Sequence, residues 1–193
     1  LLDHAWGQEP CTIKQIKGYR PAAHSISNGQ VLMRDYSFSE ARTVLREMAD
    51  ASCLDLCSKG LSCGSVSVHV GYARPRLTES GRWGMGSGGS TKLSERTDSS
   101  HHIVKVALEL FDKHTLNSEP IRRLTVALGA LQPAKYDQPS LFGSEDSGKE
   151  ADLAKASIAV RDRFGKNALL RGTSLKQGAT MRERNNQIGG HRA

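Results

Sequence analysis

The sequence predicts an α+β domain: a four-stranded β-sheet with two α-helices on one face, followed by a C-terminal helix and a basic tail. Three observations predict it. The stretch SVSVHVGY alternates strictly, with Val66, Val68, Val70 and Tyr72 on one side of an extended backbone and Ser65, Ser67, His69 and Gly71 on the other. Two further stretches repeat their apolar residues every three to four positions, as helices with one buried stripe do. The order strand, helix, strand, strand, helix, strand then folds most economically with both helices on the apolar face. That leaves the opposite face to solvent or a polar partner.

Leu1 to Pro21 contains Trp6-Gly7 and IKQIKGYRP, is punctuated by Pro10 and Pro21, and reads as a linker or the end of a preceding domain. A first strand is expected over about Ser25 to Arg34, with Asn28-Gly29 as a bulge or bend. Ser37 followed by Glu40 makes a capping box. Phe38, Ala41, Val44, Leu45, Met48 and Ser52 form the stripe of the helix it starts, which should end near Lys59-Gly60. The second strand runs from Ser62 to Arg74, where Pro75 stops it. Arg76 to Gly89 is rich in glycine; no Lys-Ser/Thr helix start follows, so a flexible hairpin tip fits better than a phosphate loop. A third strand over Ser90 to Arg96 sets Thr91, Leu93 and Glu95 opposite Lys92, Ser94 and Arg96. Asp98 or Ser99 caps a second helix with Ile103, Val106, Ala107, Leu110 and Phe111 inward. Pro120 introduces the fourth strand, with Leu124, Val126 and Leu128 inward and Arg123, Thr125, Ala127 and Gly129 outward. Beyond Gln132 to Lys149, Leu153, Ala156, Val160 and Phe164 mark a third helix ending at Gly165. The remaining tail is polar and should be ordered only if something holds it.

The 193 residues carry a formal charge of +7, which favours an anionic partner. From Arg161 to Ala193 there are eight Lys or Arg against two Asp or Glu, so the tail supplies most of it. In the sheet-forming region the acids concentrate on the helices and the bases on strands and loops. No run reaches the roughly 20 apolar residues that span a bilayer, and no signal-peptide pattern opens the chain. A cytoplasmic protein without membrane association is therefore expected. Cys11, Cys53, Cys57 and Cys63 lack the paired spacing of a metal site and suit a reducing compartment. No nucleophile, base and orienting group fall together, and Asp35 is better explained as a turn residue, so neither catalysis nor a cofactor is expected of this chain.

The open sheet face is the stronger candidate site. Ser65, Ser67 and His69 are short enough to let backbone amides and hydroxyls approach phosphate oxygens, while Arg34, Arg74, Lys92, Arg96 and Arg123 stand at its rim. It lacks the long side chains of base readout. Separately, QPSLF, from Gln138 to Phe142, places Leu141 and Phe142 in a polar loop, where they need the domain's core or another protein's groove.

HSISNGQVLMRDYS, LSCGSVSVHVGYA, IRRLTVALGAL, QPSLF, FGKNALLRG and QIGGHRA together resemble the C-terminal half of Y-family translesion DNA polymerases, the UmuC/DinB or ImpB/MucB/SamB family. The likeness is strongest to the UmuC-like members of Gram-positive bacteria. It implies the end of a thumb or a linker over 1–21, a little finger over 22–131, a loop with a clamp-binding motif over 132–149, and a C-terminal helix and basic tail over 150–193. It implies a grip on DNA primer-template through phosphate contacts, in damage tolerance of the SOS type. Ser25 and Ser27 match residues that place amides on a phosphate, although His24 stands where the family usually has Lys. Thr91, Lys92 and Ser94 match the strand that tracks the template. Gln138, Ser140, Leu141 and Phe142 resemble the motif for the sliding clamp, the β subunit of DNA polymerase III. Polymerase chemistry, with its Mg2+, would belong to a palm that this sequence does not contain. The alternative is a stand-alone ferredoxin-like module that binds nucleic acid or protein without polymerase chemistry.

Overall fold

In the computed structural model, residues 6–7, 11–18, 25–77, 83–136, 146–188 and 191–192 are described. His24, Gln138 to Phe142 and parts of 1–21 lie outside them. After a short helix, α1 (Ile13–Gly18), the elements are β1 (Ser25–Tyr36), α2 (Phe38–Ser58), β2 (Leu61–Leu77), β3 (Trp83–Thr97), α3 (Ser100–His114) and β4 (Ile121–Gly129). The four long strands form one antiparallel sheet in the order β1-β4-β2-β3, and the two-residue β5 (Gln132–Pro133) adds to β2. The second and fourth strands are thus central. In a ferredoxin-like sheet the first and third are.

The inward face follows the alternation. Ile26, Leu128, Val66 and Thr91 share one cross-strand row, and Val68 with Val126 and Val70 with Leu124 continue the centre of the next two. The helices cover these rows: Val44, Leu45 and Met48 of α2 meet Ile103, Ala107 and Phe111 of α3 in one core, and Phe38 lies 4.8 Å from Phe111 between ring centroids. Arg42 and Asp112 tie the helices by a two-pronged ion pair of 2.8 and 2.9 Å.

Four expectations are corrected. β1 is regular through Asn28-Gly29 and irregular between Val31 and Tyr36, where β1 advances five residues while β4 advances two, from Arg123 to Ile121. β2 continues past Pro75 to Leu77, with a register shift between Gly71 and Arg76, where a missing N–H breaks no ladder bond. The glycine-rich stretch is mostly strand. Gly86 and Gly88 let β3 press onto β2, since a Cβ at Gly88 would lie 2.4 Å from the Val68 carbonyl oxygen. Finally, in α4 (Asp146–Phe164) Leu153 and Phe164 are each 65% exposed. Ala156 is exposed too, and of the expected stripe Val160 alone is half-buried; Ala151, Ala154, Ser157, Ile158 and Arg161 form the rest of the half-buried side. Glu150 sets that rotation: its carboxylate accepts from the Ser99 hydroxyl and the His101 amide, both at 2.7 Å, at the start of α3.

Ser37 and Glu40 form the expected capping box, and α2 gives way to Gly60 at φ +62°. Hydrogen bonds from Arg34, then from Ser37, hold the Glu40 carboxyl down to about 2 against an ordinary 4.5. The unfolded chain therefore takes up this proton at a higher pH than the folded one. The cap's contribution is complete above about 4.5 and is lost as pH falls through about 2. Thermal melting followed from pH 5 to pH 2 checks this, and Arg34→Ala should flatten that limb.

The polar tail is held. Its short helix α5 (Met181–Arg184) begins on Glu47, whose carboxylate accepts from the amides of Thr180 at 2.8 Å and Met181 at 3.1 Å. Arg171 pairs with Asp50 at 3.1 Å, and β6 (Gln187–Ile188) closes a small hairpin with β7 (His191–Arg192).

Candidate nucleic-acid interface

On the face away from the helices, the pairing registers line up four rows that cross all four strands. They are Ser25, Gly129, Ser65 and Lys92; Ser27, Ala127, Ser67 and Ser90; Gly29, Thr125, His69 and Gly88; and Val31, Arg123, Gly71 and Gly86. Neighbouring strands lie about 4.8 Å apart and alternate residues about 6.8 Å, so the rows tile a plate of roughly 14 by 20 Å. The plate carries no carboxylate and no Phe, Tyr or Trp. Its longest side chains stand apart: Lys92 is in the first row and Arg123 in the fourth.

Small residues keep the plate shallow for specific reasons. A Cβ at Gly71 would sit 2.9 Å from the Arg123 Cβ, so glycine there makes room for the arginine stem. A Cβ at Gly129 would lie 2.6 Å from the Ser65 hydroxyl. Ser67 donates to Ser90 at 2.8 Å, which joins β2 to β3 on the open side. Further along β1, Val31 and Met33 are exposed, Met33 by 87%, and give this corner an apolar rim.

Seven expected residues come together on the plate: Ser25, Ser27, Ser65, Ser67, His69, Lys92 and Arg123. Ser94 is exposed beyond the last regular β2–β3 pair. Thr91 is not on the plate; its pairing with Val66 puts it on the helix side. Arg34 is turned to Glu40 at 2.5 Å and stacks over Tyr36, 4.3 Å from the ring centroid. Arg96 donates to the Ala130 carbonyl, beyond the end of β4, and Arg74 is exposed past the regular β2–β4 pairs. Ser90, Gly29, Gly88, Val31 and Gly86, which no side-chain pattern had marked, complete the rows. Only the inter-strand register reveals them. Gln138, Ser140, Leu141 and Phe142 lie outside the described residues. Among the described residues no three His, Cys, Asp or Glu side chains cluster as metal ligands, and no helix is long and apolar enough to cross a membrane.

A one-sided antiparallel sheet, helices behind and a flat, acid-free plate in front, defines an α+β domain with a broad polar face. Residues 23–141 match the model of the impB/mucB/samB family C-terminal domain. The chain belongs to this family. It is 30% identical over 184 residues to a DNA polymerase IV 2 of Bacillus subtilis (strain 168), covering 94% of this chain and 42% of the relative. It is 25% identical over 177 residues to a DNA polymerase IV of Pelotomaculum thermopropionicum, covering 91% and 40%. The chain thus spans about two fifths of the length of these curated relatives. Among solved structures, it is similar to the one described as a complex of beta-clamp processivity factor and little finger domain of PolIV. The TM-score is 0.41 and the identity 11%, covering 62% of this chain and all of the other.

Proposed function

We propose that this chain is the little-finger region of an error-prone translesion DNA polymerase and that its plate grips primer-template DNA through phosphate contacts. The observation that carries the reading is the four-row plate. Small hydroxyl and glycine positions bring donors close to a phosphate surface, two cations stand about 20 Å apart along the strands, and the plate carries no Phe, Tyr or Trp to stack a base. Within this reading, 1–21 is the end of a thumb or a linker, 22–131 the finger, 132–149 the loop with the clamp motif, and 150–193 an appended helix and tail. Catalysis and Mg2+ belong to other parts of the parent polymerase, and a DNA substrate implies a cytoplasmic setting. QPSLF is assigned to the hydrophobic groove of the sliding clamp, with Leu141 and Phe142 as anchors.

The ferredoxin-like alternative is disfavoured by the central position of β2 and β4 and by a plate whose only ring is that of His69, without the Phe, Tyr or Trp that RNA-recognition sheets carry for base stacking. Ser67→Glu tests the reading, because it places a carboxylate at the plate's centre. Duplex affinity near ~0.1 M salt should fall about tenfold. Lys105→Glu, which reverses an exposed charge on α3, should have a much smaller effect because screening confines charge effects to about 10 Å. Equal losses from the two substitutions would reject the plate as the DNA surface.

A further inference from the structure

The inward side of β1 departs from the rest of the core. Where the rows carry Val126 and Val68, or Leu124 and Val70, β1 contributes Asn28 and Gln30. Polar groups facing a core need partners, and here the tail supplies them from about 150 residues away. The Asn28 side-chain oxygen accepts from Arg184 at 2.8 Å while its amide donates to the Met48 carbonyl at 3.3 Å, and Gln30 accepts from the Thr180 hydroxyl at 3.2 Å. Beside them Glu47, only 2% exposed, takes the two amides that open α5. Asn167 locks the segment on itself by donating to the Arg182 carbonyl and accepting from Asn185. Among the described residues the backbone of β1 pairs with β4 alone, so the tail adds to α2 as a support of this edge strand. All of the tail lies beyond the residues matched by the family model.

We propose that residues 165–188 are a clasp that fixes β1 for DNA binding, with Glu47 as the positioning residue. Because side chains alternate, the pinned Asn28 and Gln30 interleave with Ser27 and Gly29 on the plate. Holding the inner pair sets the height and tilt of the outer pair. The proposal rests on the DNA-binding reading above.

The full chain tests it with two sets of variants, read by duplex affinity across a salt series, by amide hydrogen exchange and by thermal melting. In Glu47→Leu, the amides of Thr180, Met181 and β1, and those of β4 that donate to β1, should lose protection, while β2 and the β4 amides that donate to β2 keep theirs. Affinity should fall about tenfold at every salt with an unchanged slope, because Ser25, Ser27 and Gly29 carry no charge. Glu47→Gln keeps an accepting oxygen and should stay within about threefold of wild type. The double substitution Asn28→Leu with Gln30→Leu removes the pins and makes the inner rows apolar. It covers the case in which Glu47→Leu does not fold: melting should be retained while affinity falls. If it binds as wild type does, the clasp is rejected although DNA binding stands. If the wild-type chain binds no duplex even at low salt, the DNA-binding reading itself fails.

Discussion

Replacing Lys92 and Arg123 together with alanine is expected to lower the affinity for a duplex primer-template by about tenfold or more near ~0.15 M salt. It should also reduce the slope of log affinity against log salt by about two. Each cation that neutralises a phosphate releases roughly one counterion, so the slope counts the charges engaged. These are the two fixed cations on the plate, and no carboxylate shares it with them. Arg34 and Arg96 are occupied by Glu40 and the Ala130 carbonyl, so alanine at either should change the slope much less. Fluorescence anisotropy over a salt series measures all three variants. An unchanged slope in the double variant would place the DNA elsewhere.

The second large effect concerns the QPSLF motif, Gln138 to Phe142. Leu141→Ala with Phe142→Ala should abolish measurable association with a bacterial sliding clamp, a loss of about 100-fold or more, and leave duplex affinity unchanged. Interface energy concentrates in a few apolar anchors buried in a groove, and this motif holds two of them side by side. Surface plasmon resonance on immobilised clamp reads the first quantity and anisotropy the second. Clamp affinity equal to wild type would remove QPSLF from the account.

Much of this architecture was legible because one period dominated locally. Ser65 to Tyr72 alternates without exception, and the structure buries Val66, Val68, Val70 and Tyr72 as that alternation requires. The capping box of α2 needed only residues three apart. What stayed hidden depended on distant partners. Asn28 and Gln30 read as ordinary polar strand residues until Arg184 and Thr180 reach them. The glycine-rich stretch has no side-chain pattern to read, and its strand character comes from pairing with β2. The rotation of α4 is set by Glu150 on the start of α3, which outweighs the apolar stripe containing Leu153 and Phe164. Among the site residues, Arg34 and Arg96 were expected at the rim from residue type and Thr91 from resemblance; local bonding turns the two arginines to Glu40 and the Ala130 carbonyl, and register puts Thr91 on the helix side.

On the proposed function the plate binds DNA by shape and phosphate contact, not by sequence. Titrating the wild-type chain against two primer-templates of unrelated sequence, from about 20 mM to about 300 mM salt, tests it most directly. The two affinities should lie within about threefold of each other at every salt, both weakening steeply as salt rises. Absence of binding at the lowest salt, or a preference of tenfold or more for one sequence, would contradict it.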